Sequence, residues 1–352
     1  MYKYTHFIPE NTAPLGAKKI GVYDSEGNKV LNFSLGNLTP PTTPKLYSFC
    51  ALSDIHLTYD TANEDFQRAL TYAEENCDFT CIAGDLTSTG SDSEMTVYKN
   101  IVEAYAPTKP VYAISGNHET AIGVYVTDES ISPYTKNGLY YSFTKGDDVF
   151  IMLGYYGAYH EGNGGWRSDE FLSAEELQWL YETLEANRNK RCFIFEHVLP
   201  HEHGVGNPNG LYQSALIWKT TDNGLGQAFL NLLKHYKNTV FFHGHSHTRF
   251  WLQEIDQKAN YSNIDGYRSI HIPSLSVPRD LTSDGTKLET LYAESEGYIV
   301  DVHNDCIVLN GRDFIDNEND GHFLPIATYK IDTPIVTVEA NTFTDSTGVI
   351  TI

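Results

Sequence analysis

Apolar residues along the chain form short runs, and amphipathic patterns with helical spacing separate several of them. The five clearest runs have the length and the β-branched or aromatic content of buried strands; they cover residues 46–52, 79–83, 111–115, 192–195 and 239–242. Helical spacing after the capping-box sequences Thr61-Ala62-Asn63-Glu64 and Ser91-Asp92-Ser93-Glu94 predicts a helix in each gap between the first three runs. Right-handed crossovers would then place these three strands in one sheet with their ends side by side.

The later part of the chain predicts a second sheet. Residues 140–143 and 149–153 form a hairpin pattern around Lys145-Gly146-Asp147, and helical patterns follow Ser173 and Leu225. Further strand patterns cover residues 250–255, 269–272, 298–302 and 307–309. We therefore predict an α/β fold, a four-layer α/β/β/α sandwich in which two mixed sheets face each other and the helices lie outside.

Both ends of the chain differ from this main domain. Residues 1–44 contain a hairpin pattern, with strands at 19–23 and 30–35, and a linker rich in Pro and Thr at 38–44. Residues 45–325 form the predicted main domain, and residues 326–352 form a β-branched, Thr-rich tail. A lone hairpin is too small to be stable in water, so we expect it to dock on the main domain or on a protein partner.

Polar residues that can bind metals or act as acids and bases follow each of the five runs. The motifs are Ser53-Asp54-Ile55-His56, Gly84-Asp85, Gly116-Asn117-His118-Glu119, Glu196-His197 and His243-Gly244-His245-Ser246-His247. Ligands of open α/β sheets bind at the carboxyl edge of the strands, and histidine is the commonest protein ligand of transition metals. Taken singly, each motif also fits a plain alternative: solvated loop histidines, or Asp as a helix cap or turn former.

In this order, D-x-H, GD, GNHE, H and GHSH, the motifs resemble those of the calcineurin-like metallophosphoesterase family, over roughly residues 45–314. The resemblance implies the same sandwich fold and hydrolysis of phosphate monoesters or diesters by two metal ions, with a bridging hydroxide as the nucleophile.

The resemblance also implies the metal ligands. One ion would be held by Asp54, His56 and His247, the other by Asn117, His197 and His245, with Asp85 bridging both. Mixed nitrogen and oxygen ligands favour Mn, Fe, Zn or Co over Ca or Mg, so the identity of the two transition-metal ions stays open.

Some ligand positions keep alternatives. His201 and His203 compete with His197, which is preferred because it directly ends a predicted strand. Asn117 could serve as a left-handed turn residue as well as a ligand. His243 precedes the glycine of its motif, and we expect it in the core or behind the ligands.

His118 is the expected general acid, since a histidine near its ordinary pKa can protonate a leaving alkoxide. Glu119 stands where the family more often has Asp, and we expect it to orient or charge-stabilise the His118 ring. A purely structural histidine is the alternative.

Substrate contacts are harder to predict. Arg249 and Arg279 could hold a phosphate group through bidentate hydrogen bonds. Tyr155, Tyr156 and Trp166 could form an aromatic wall over the site or simply pack within a loop. The expected substrate is a small phosphate ester. The alternatives are a catalytically idle binding protein of this fold, with the terminal β segments as its working parts, and a nuclease.

Charge and composition narrow the partners. The 352 residues carry a formal net charge of −22, with a pI near 4.9, and no basic patch interrupts this acidity. We therefore do not expect a long nucleic acid or an anionic membrane as partner. No apolar stretch approaches the roughly 18 residues of a membrane span, and the first residues lack a signal-peptide core. We expect a cytoplasmic protein, with a removed leader or another export route as alternatives.

The five cysteines are odd in number and lack the spacing of a zinc site. Cys50, Cys81 and Cys192 fall within predicted core strands, where a free cysteine behaves as a small apolar residue. We therefore expect no disulfide framework.

Overall fold

A computed structural model of the chain describes most of the predicted main domain. The described residues are 19–23, 29–34, 41–120, 140–155, 159–160, 165–166, 171–200, 217, 225–250, 261–262, 266–282, 287–290, 294–315 and 325–340. Within this part of the chain there are five helices: α1 Ala62–Asn76, α2 Asp92–Tyr105, α3 Asn117–Thr120, α4 Ala174–Ala186 and α5 Leu225–His235.

The strands of the described residues are, in chain order, β1 Lys19–Tyr23, β2 Lys29–Ser34, β3 Lys45–Leu52, β4 Phe79–Ala83, β5 Val111–Ile114, β6 Tyr141–Lys145, β7 Asp148–Met152, β8 Tyr159–His160, β9 Gly165–Trp166, β10 Cys192–Phe195, β11 Thr239–His243, β12 Tyr261–Ser262, β13 Arg268–His271, β14 Arg279–Leu281, β15 Leu288–Thr290, β16 Glu296–His303, β17 Cys306–Asp313 and β18 Pro325–Asp332. All five predicted core strands are present.

Two six-stranded mixed sheets dominate the fold. The first has the order β18-β17-β16-β3-β4-β5, and the second has the order β12-β13-β11-β10-β7-β6. Strands β3, β4 and β5 are parallel neighbours, as are β7, β10, β11 and β13 in the second sheet. The predicted two-sheet α/β fold is confirmed.

Alternation along the strands builds the layers. In β3, Phe49 and Ala51 lie in the core between the sheets, whereas Cys50 and Leu52 pack with residues of α1 and α2. In β10 and β11 the same alternation sends one side of each strand towards α4 and α5. Because successive strand residues point to opposite faces, each central strand is buried on both sides. The polar side chains of the motifs lie just beyond the carboxyl ends of these strands.

The ends of the helices test the predicted caps. Ser91 and Glu94 form the predicted reciprocal capping box of α2, and Ser173 Oγ accepts a hydrogen bond from the Glu176 amide at α4. The box predicted at Thr61 is wrong. Thr61 makes no side-chain cap, and its hydroxyl instead donates to Asp65 Oδ2 at 2.9 Å, since Asp65 lies one helical turn away.

The terminal segments show the predicted strands. β1 and β2 pair with each other antiparallel, as the hairpin pattern predicted. β18 pairs along its length with β17, so residues 325–332 form the edge strand of the first sheet. The chain then crosses to the second sheet, where Asn238 exchanges two hydrogen bonds with the backbone of Val336 and where Val338 is buried. Residues 325–340 are therefore integrated into the sandwich.

The remaining expectations concern cysteines and membranes. All five cysteines are free and buried, including the three that were predicted to lie in core strands, Cys50, Cys81 and Cys192. Among the described residues, no helix has the length and apolar character needed to cross a membrane.

Candidate metal centre

The site lies where the parallel strands end. Asp54 and Asp85 follow β3 and β4 by two residues, and Asn117 begins α3 just after β5. From the facing sheet, His197 follows β10, and the loop after β11 carries the last two histidines. The topology thus delivers side chains from both sheets to one edge, the usual ligand position of such sheets.

The backbone at these positions is unusual. Asp54, His56, Asp85, His245 and His247 all have a positive φ, between 50° and 75°. Residues other than glycine rarely adopt this left-handed region, because it brings Cβ close to the following carbonyl oxygen. Such conformations persist where the surrounding structure enforces them and tend to cluster at functional sites.

Two glycines allow the close approach. A Cβ on Gly244 would overlap Ser53 Oγ and the carboxylate of Asp54, and a Cβ on Gly116 would overlap Asp85. The glycines of the GHSH and GNHE motifs are therefore required for packing around the carboxylates, and in the GHSH motif the left-handed turn falls on the next residue, His245.

The first group of potential ligand atoms comprises Asp54, His56, Asp85 and His247, all buried. His247 Nε2 lies 3.0 Å from Asp54 Oδ1 and 3.1 Å from His56 Nε2. His56 Nε2 lies 3.7 Å from Asp85 Oδ2. One cation could contact all four of these side chains, because their ligand atoms lie within 4.8 Å of one another.

The second group shares Asp85. Its Oδ2 atom lies 3.2 Å from His197 Nε2, which in turn lies 3.0 Å from His245 Nδ1 and 3.1 Å from Asn117 Oδ1. Asp85, His197 and His245 again have ligand atoms close enough for one cation, and the Asn117 amide oxygen adds a further neutral donor. The structure thus brings all seven predicted ligands together.

The atoms that face away from the two groups are held by other partners. Asp54 Oδ2 accepts hydrogen bonds from Ser53 Oγ at 2.6 Å and from the His245 amide at 2.9 Å. Asp85 Oδ1 accepts the His118 amide at 3.0 Å. Asp85 therefore has Oδ2 as its inward oxygen, and this single atom is the shared one.

The ring nitrogens are oriented in the same way. His197 Nδ1 donates to the carbonyl of Ala83 at 2.8 Å, and His247 Nδ1 donates to that of Val277 at 3.2 Å. In the neutral imidazole, each bond places the proton on Nδ1, so that Nε2 is the nitrogen that would bind a metal.

Electrostatics at the site couple the carboxylates to the histidines. Burial raises the pKa of Asp85, but His197 and His118 outweigh burial and hold the pKa well below its ordinary value. Burial lowers the pKa of His197, but the Asp85 carboxylate opposes it and raises the pKa to about 10. Burial and the neighbouring His247 lower the pKa of His56 to about 3. Without a cation, the site therefore retains protons on some of its nitrogens, which metal binding would release.

The residues fit a pair of transition-metal ions. Asp54 Oδ1 is buried and has no hydrogen-bond partner among the described residues, although His247 Nε2 lies 3.0 Å away. An ionised oxygen without a partner in the interior is costly unless a cation or a hydrogen-bond donor compensates it. Imidazole, carboxylate and amide donors together suit Mn, Fe, Co or Zn.

His118 stands beside this centre and remains partly accessible, with 39% of its side chain exposed. Its Nδ1 donates to the carbonyl of Ser88 at 2.6 Å, and its Nε2 lies 3.9 Å from Asp85 Oδ2. Burial lowers the pKa of His118, but Asp85 and the Ser88 carbonyl outweigh it, and the net pKa is raised.

Glu119 makes its hydrogen bonds to groups other than the His118 ring, while its charge helps to raise the pKa of His118 as expected. Its Oε1 accepts hydrogen bonds from the amide and hydroxyl of Thr87, and its Oε2 accepts the amide of Gly116. The side chain therefore ties the GD loop to the GNHE loop, and the direct partner that orients His118 is the Ser88 carbonyl. The longer glutamate reaches back to the loops, which is why the expected contact with the ring is replaced.

Of the five predicted substrate contacts, three have described side chains, those of Arg249, Arg279 and Tyr155. Arg249 donates hydrogen bonds to Asp280 and Glu294, and Arg279 contributes a backbone amide that donates to the His247 carbonyl. Tyr155 is buried. The side chains of Tyr156 and Trp166 lie outside the described residues.

The remaining histidine predictions concern the two alternatives to His197 and the histidine expected in the core. His201 and His203 lie outside the described residues. His243 is fully buried, and its Nε2 lies 3.0 Å from Ser269 Oγ, so it belongs to the core as expected.

Sequence reasoning missed several residues that shape the site. Ser53 and Ser88 orient Asp54 and His118, and Glu94 accepts hydrogen bonds from Thr58 and Thr89. Their positions next to or within the motif loops were the available signal, but serine and glutamate are too common there to single out.

Comparisons with known proteins support the family resemblance. The family model described as calcineurin-like phosphoesterase matches residues 47–249, more than half of the 352 residues. No curated protein matches the chain.

Several solved structures show a distant similarity to this chain. GAP50, the anchor in the inner membrane complex of Plasmodium, is 13% identical with a TM-score of 0.47 over 81% of this chain and 88% of that one. A predicted phosphoesterase from Streptococcus pneumoniae TIGR4 is 10% identical with a TM-score of 0.37 over 81% and 97%. Vacuolar protein sorting 29 from Cryptosporidium parvum is 12% identical with a TM-score of 0.36 over 81% and 98%. Similarities of this size say nothing about activity.

The motif order, the two mixed sheets and the family match over residues 47–249 agree with one another. The chain belongs to the calcineurin-like phosphoesterase family.

Proposed function

We propose that this protein hydrolyses phosphate esters of small molecules, either monoesters or diesters, with two transition-metal ions as cofactors. The observation that carries the proposal is the position of Asp85 Oδ2, which both groups of potential ligand atoms share. Two bound metals would lower the pKa of a water molecule and neutralise charge on the phosphate oxygens.

Seven side chains would hold these ions. Asp54, His56 and His247 serve the first, and Asn117, His197 and His245 serve the second, with Asp85 between them. Hydrogen bonds hold the outward atoms of four of them, Asp54, Asp85, His197 and His247, which favours a preorganised ligand set.

His118 serves as the general acid in this proposal. Since its Nδ1 proton is committed to the Ser88 carbonyl, the proton that can be transferred is the one on Nε2. The exposed part of the ring allows a substrate to approach, and the nearby Asp85 carboxylate favours the protonated ring. A proton given to the leaving alkoxide would lower the barrier to cleavage of the ester.

The substitution His118→Ala tests the proposal, with a panel of aryl phosphate monoesters and diesters as substrates for protein loaded with Mn²⁺. We expect an unchanged metal content and a kcat lower by about 10²- to 10⁴-fold. His235→Ala provides the control, because His235 lies on α5 and bonds to the Glu339 carbonyl. Metal binding without turnover of any ester by the unmodified protein would contradict the proposal and favour a binding protein.

A further inference from the structure

Arg249 lies two residues after His247, and its guanidinium is already committed. Nη1 donates to Asp280 Oδ2 at 3.1 Å, and Nη2 donates to Glu294 Oε1. The three side chains are 19%, 22% and 23% exposed, so the cluster is more dehydrated than an ordinary surface ion pair. Two carboxylates compensate the positive charge of the guanidinium, which would otherwise attract a phosphate group.

The backbone around Arg249 is tied to the same segment of chain. The Arg249 amide donates to the Arg279 carbonyl at 3.2 Å, and the Arg279 amide donates to the His247 carbonyl at 2.7 Å. The next amide, that of Phe250, donates to the buried Glu296 carboxylate at 2.8 Å. Residues 247–250 are thus anchored on one side to β14 and on the other to the start of β16.

This anchoring matters because the preceding loop is strained. His245 and His247 have φ values of 75° and 62°, a left-handed region that is unfavourable for residues other than glycine. A loop in this conformation relaxes unless its neighbours hold it, and relaxation would move both imidazoles away from Asp54 and Asp85.

The charges of the cluster also depend on Arg249. Burial raises the pKa of Glu294 to about 7, and burial together with Glu294 raises the pKa of Glu296 well above its ordinary value. Arg249 opposes the rise at both positions. Asp280 and Asp313 also raise the pKa of Glu294, and the Arg249 guanidinium is the cation that opposes them.

We infer that Arg249 is a positioning residue, which with Asp280 and Glu294 holds the His245–His247 loop in its metal-binding conformation. It acts on the histidines through the backbone and does not contact the substrate phosphate. The inference rests on the proposed function only in taking this loop as part of a metal centre. It predicts that removing either member of the Arg249–Glu294 pair has the same effect on metal affinity.

The variants Arg249→Met, Glu294→Gln and their combination test the inference at pH 8, where the Glu294 carboxylate is ionised. The binding of Co²⁺ is followed by its visible absorption, and KM and kcat for an aryl phosphate ester are measured at saturating metal. We expect each single variant to weaken the binding of Co²⁺ by about tenfold or more. Substitutions of residues that hold metal ligands in place have effects of this size in other metalloproteins. The double variant should bind no more weakly than the weaker single variant, and KM should change less than twofold.

Arg268→Met is the matched control. Arg268 is the first residue of β13, at the end of the strand away from the metal centre, and it donates to the carbonyls of Lys237 and Asp332. It should leave the affinity for Co²⁺ unchanged. Should Arg249→Met fold poorly, the nearly isosteric Glu294→Gln variant still decides the matter.

A tenfold higher KM in Arg249→Met, with unchanged Co²⁺ affinity in both single variants, would overturn the inference and make Arg249 a substrate ligand. Unchanged KM and unchanged affinity in both would overturn it as well. If the unmodified protein binds Co²⁺ but hydrolyses no ester, the proposed function fails, whereas the comparison of affinities still tests the inference.

Discussion

Asp85 Oδ2 and His197 Nε2 lie 3.2 Å apart in the interior, although the first follows a strand of one sheet and the second follows a strand of the other. The pair shows how the sandwich builds its candidate metal centre. Parallel strands in both sheets end at the same edge, and the polar groups just beyond them meet across the gap between the sheets. A metal ion placed there would also crosslink the two sheets, so metal loading should raise the thermal stability of the fold.

Gly244 is expected to tolerate no larger residue, because a Cβ at this position would overlap Ser53 Oγ and the Asp54 carboxylate. Gly244→Ala should therefore weaken Co²⁺ binding by at least about tenfold, since Asp54 must move. Gly146→Ala is the control. Gly146, unlike Gly244, has a positive φ, 59°, and no atom lies within 4 Å of its added Cβ. It should cost about 1–2 kcal/mol of stability and leave metal affinity unchanged, and equal losses of affinity in both variants would contradict the explanation.

Much of this centre could be predicted from the sequence because its information is local. Apolar runs of strand length, each followed by Asp, Asn or His, indicate both the strands and the edge where they end, and all seven predicted ligands meet there. The Thr61 prediction is wrong at short range, because the Thr61 hydroxyl donates to Asp65 one helical turn away and does not cap the helix. The Arg249 prediction missed tertiary contacts, because the guanidinium bonds to two carboxylates from segments more than 30 residues later in the chain. No short-range pattern in the sequence records those two carboxylates.

The hydrogen-bond partners of Glu119 could not be predicted from its neighbours in the sequence either. Its position beside His118 suggested a contact between the two side chains, but the carboxylate turns towards Thr87 and Gly116. Three hydrogen bonds to a fully buried carboxylate outweigh the attraction of a partly solvated imidazole.

A buried ion pair at the opposite end of the strands should dominate the stability of the fold. Arg191 donates two hydrogen bonds to Asp148, at 3.0 and 2.6 Å, and further bonds to the His303 carbonyl and to Thr333. Arg191→Met leaves the Asp148 charge buried and uncompensated, which should lower the free energy of unfolding by about 3–5 kcal/mol. Chemical denaturation measures this change.

The control for this prediction is Lys145→Met, which removes the exposed pair between Lys145 and Asp78. Its cost should stay below about 1 kcal/mol. Equal costs for the two variants would show that the Arg191 network contributes no more than a surface pair.

The pKa of Glu294 predicts a pH dependence of stability in the metal-free protein. Burial raises this pKa from 4.5 to about 7, so the folded state keeps a proton that the unfolded state loses. The contribution of Glu294 to stability should therefore decrease as the pH rises from about 4.5 to about 7. Glu294→Gln should remove this decrease, and its free energy of unfolding relative to the unmodified protein should improve by at most about 3.4 kcal/mol across that range.

Chemical denaturation at several pH values tests this, with Glu289→Gln on the exposed side of β15 as control. A parallel pH dependence in all three proteins would contradict the raised pKa. A variant that is more stable at pH 8 and yet binds Co²⁺ more weakly would show that Glu294 is retained for the metal loop at a cost in stability.

The central claim is that two metal ions bind on either side of Asp85 Oδ2. Anomalous X-ray diffraction from crystals equilibrated with Mn²⁺ measures this most directly. We predict two peaks per chain about 3.5–4 Å apart, one beside Asp54, His56 and His247 and the other beside Asn117, His197 and His245. No peak at this edge of the sheets, with His245 and His247 turned away from Asp54 and Asp85, would contradict the account.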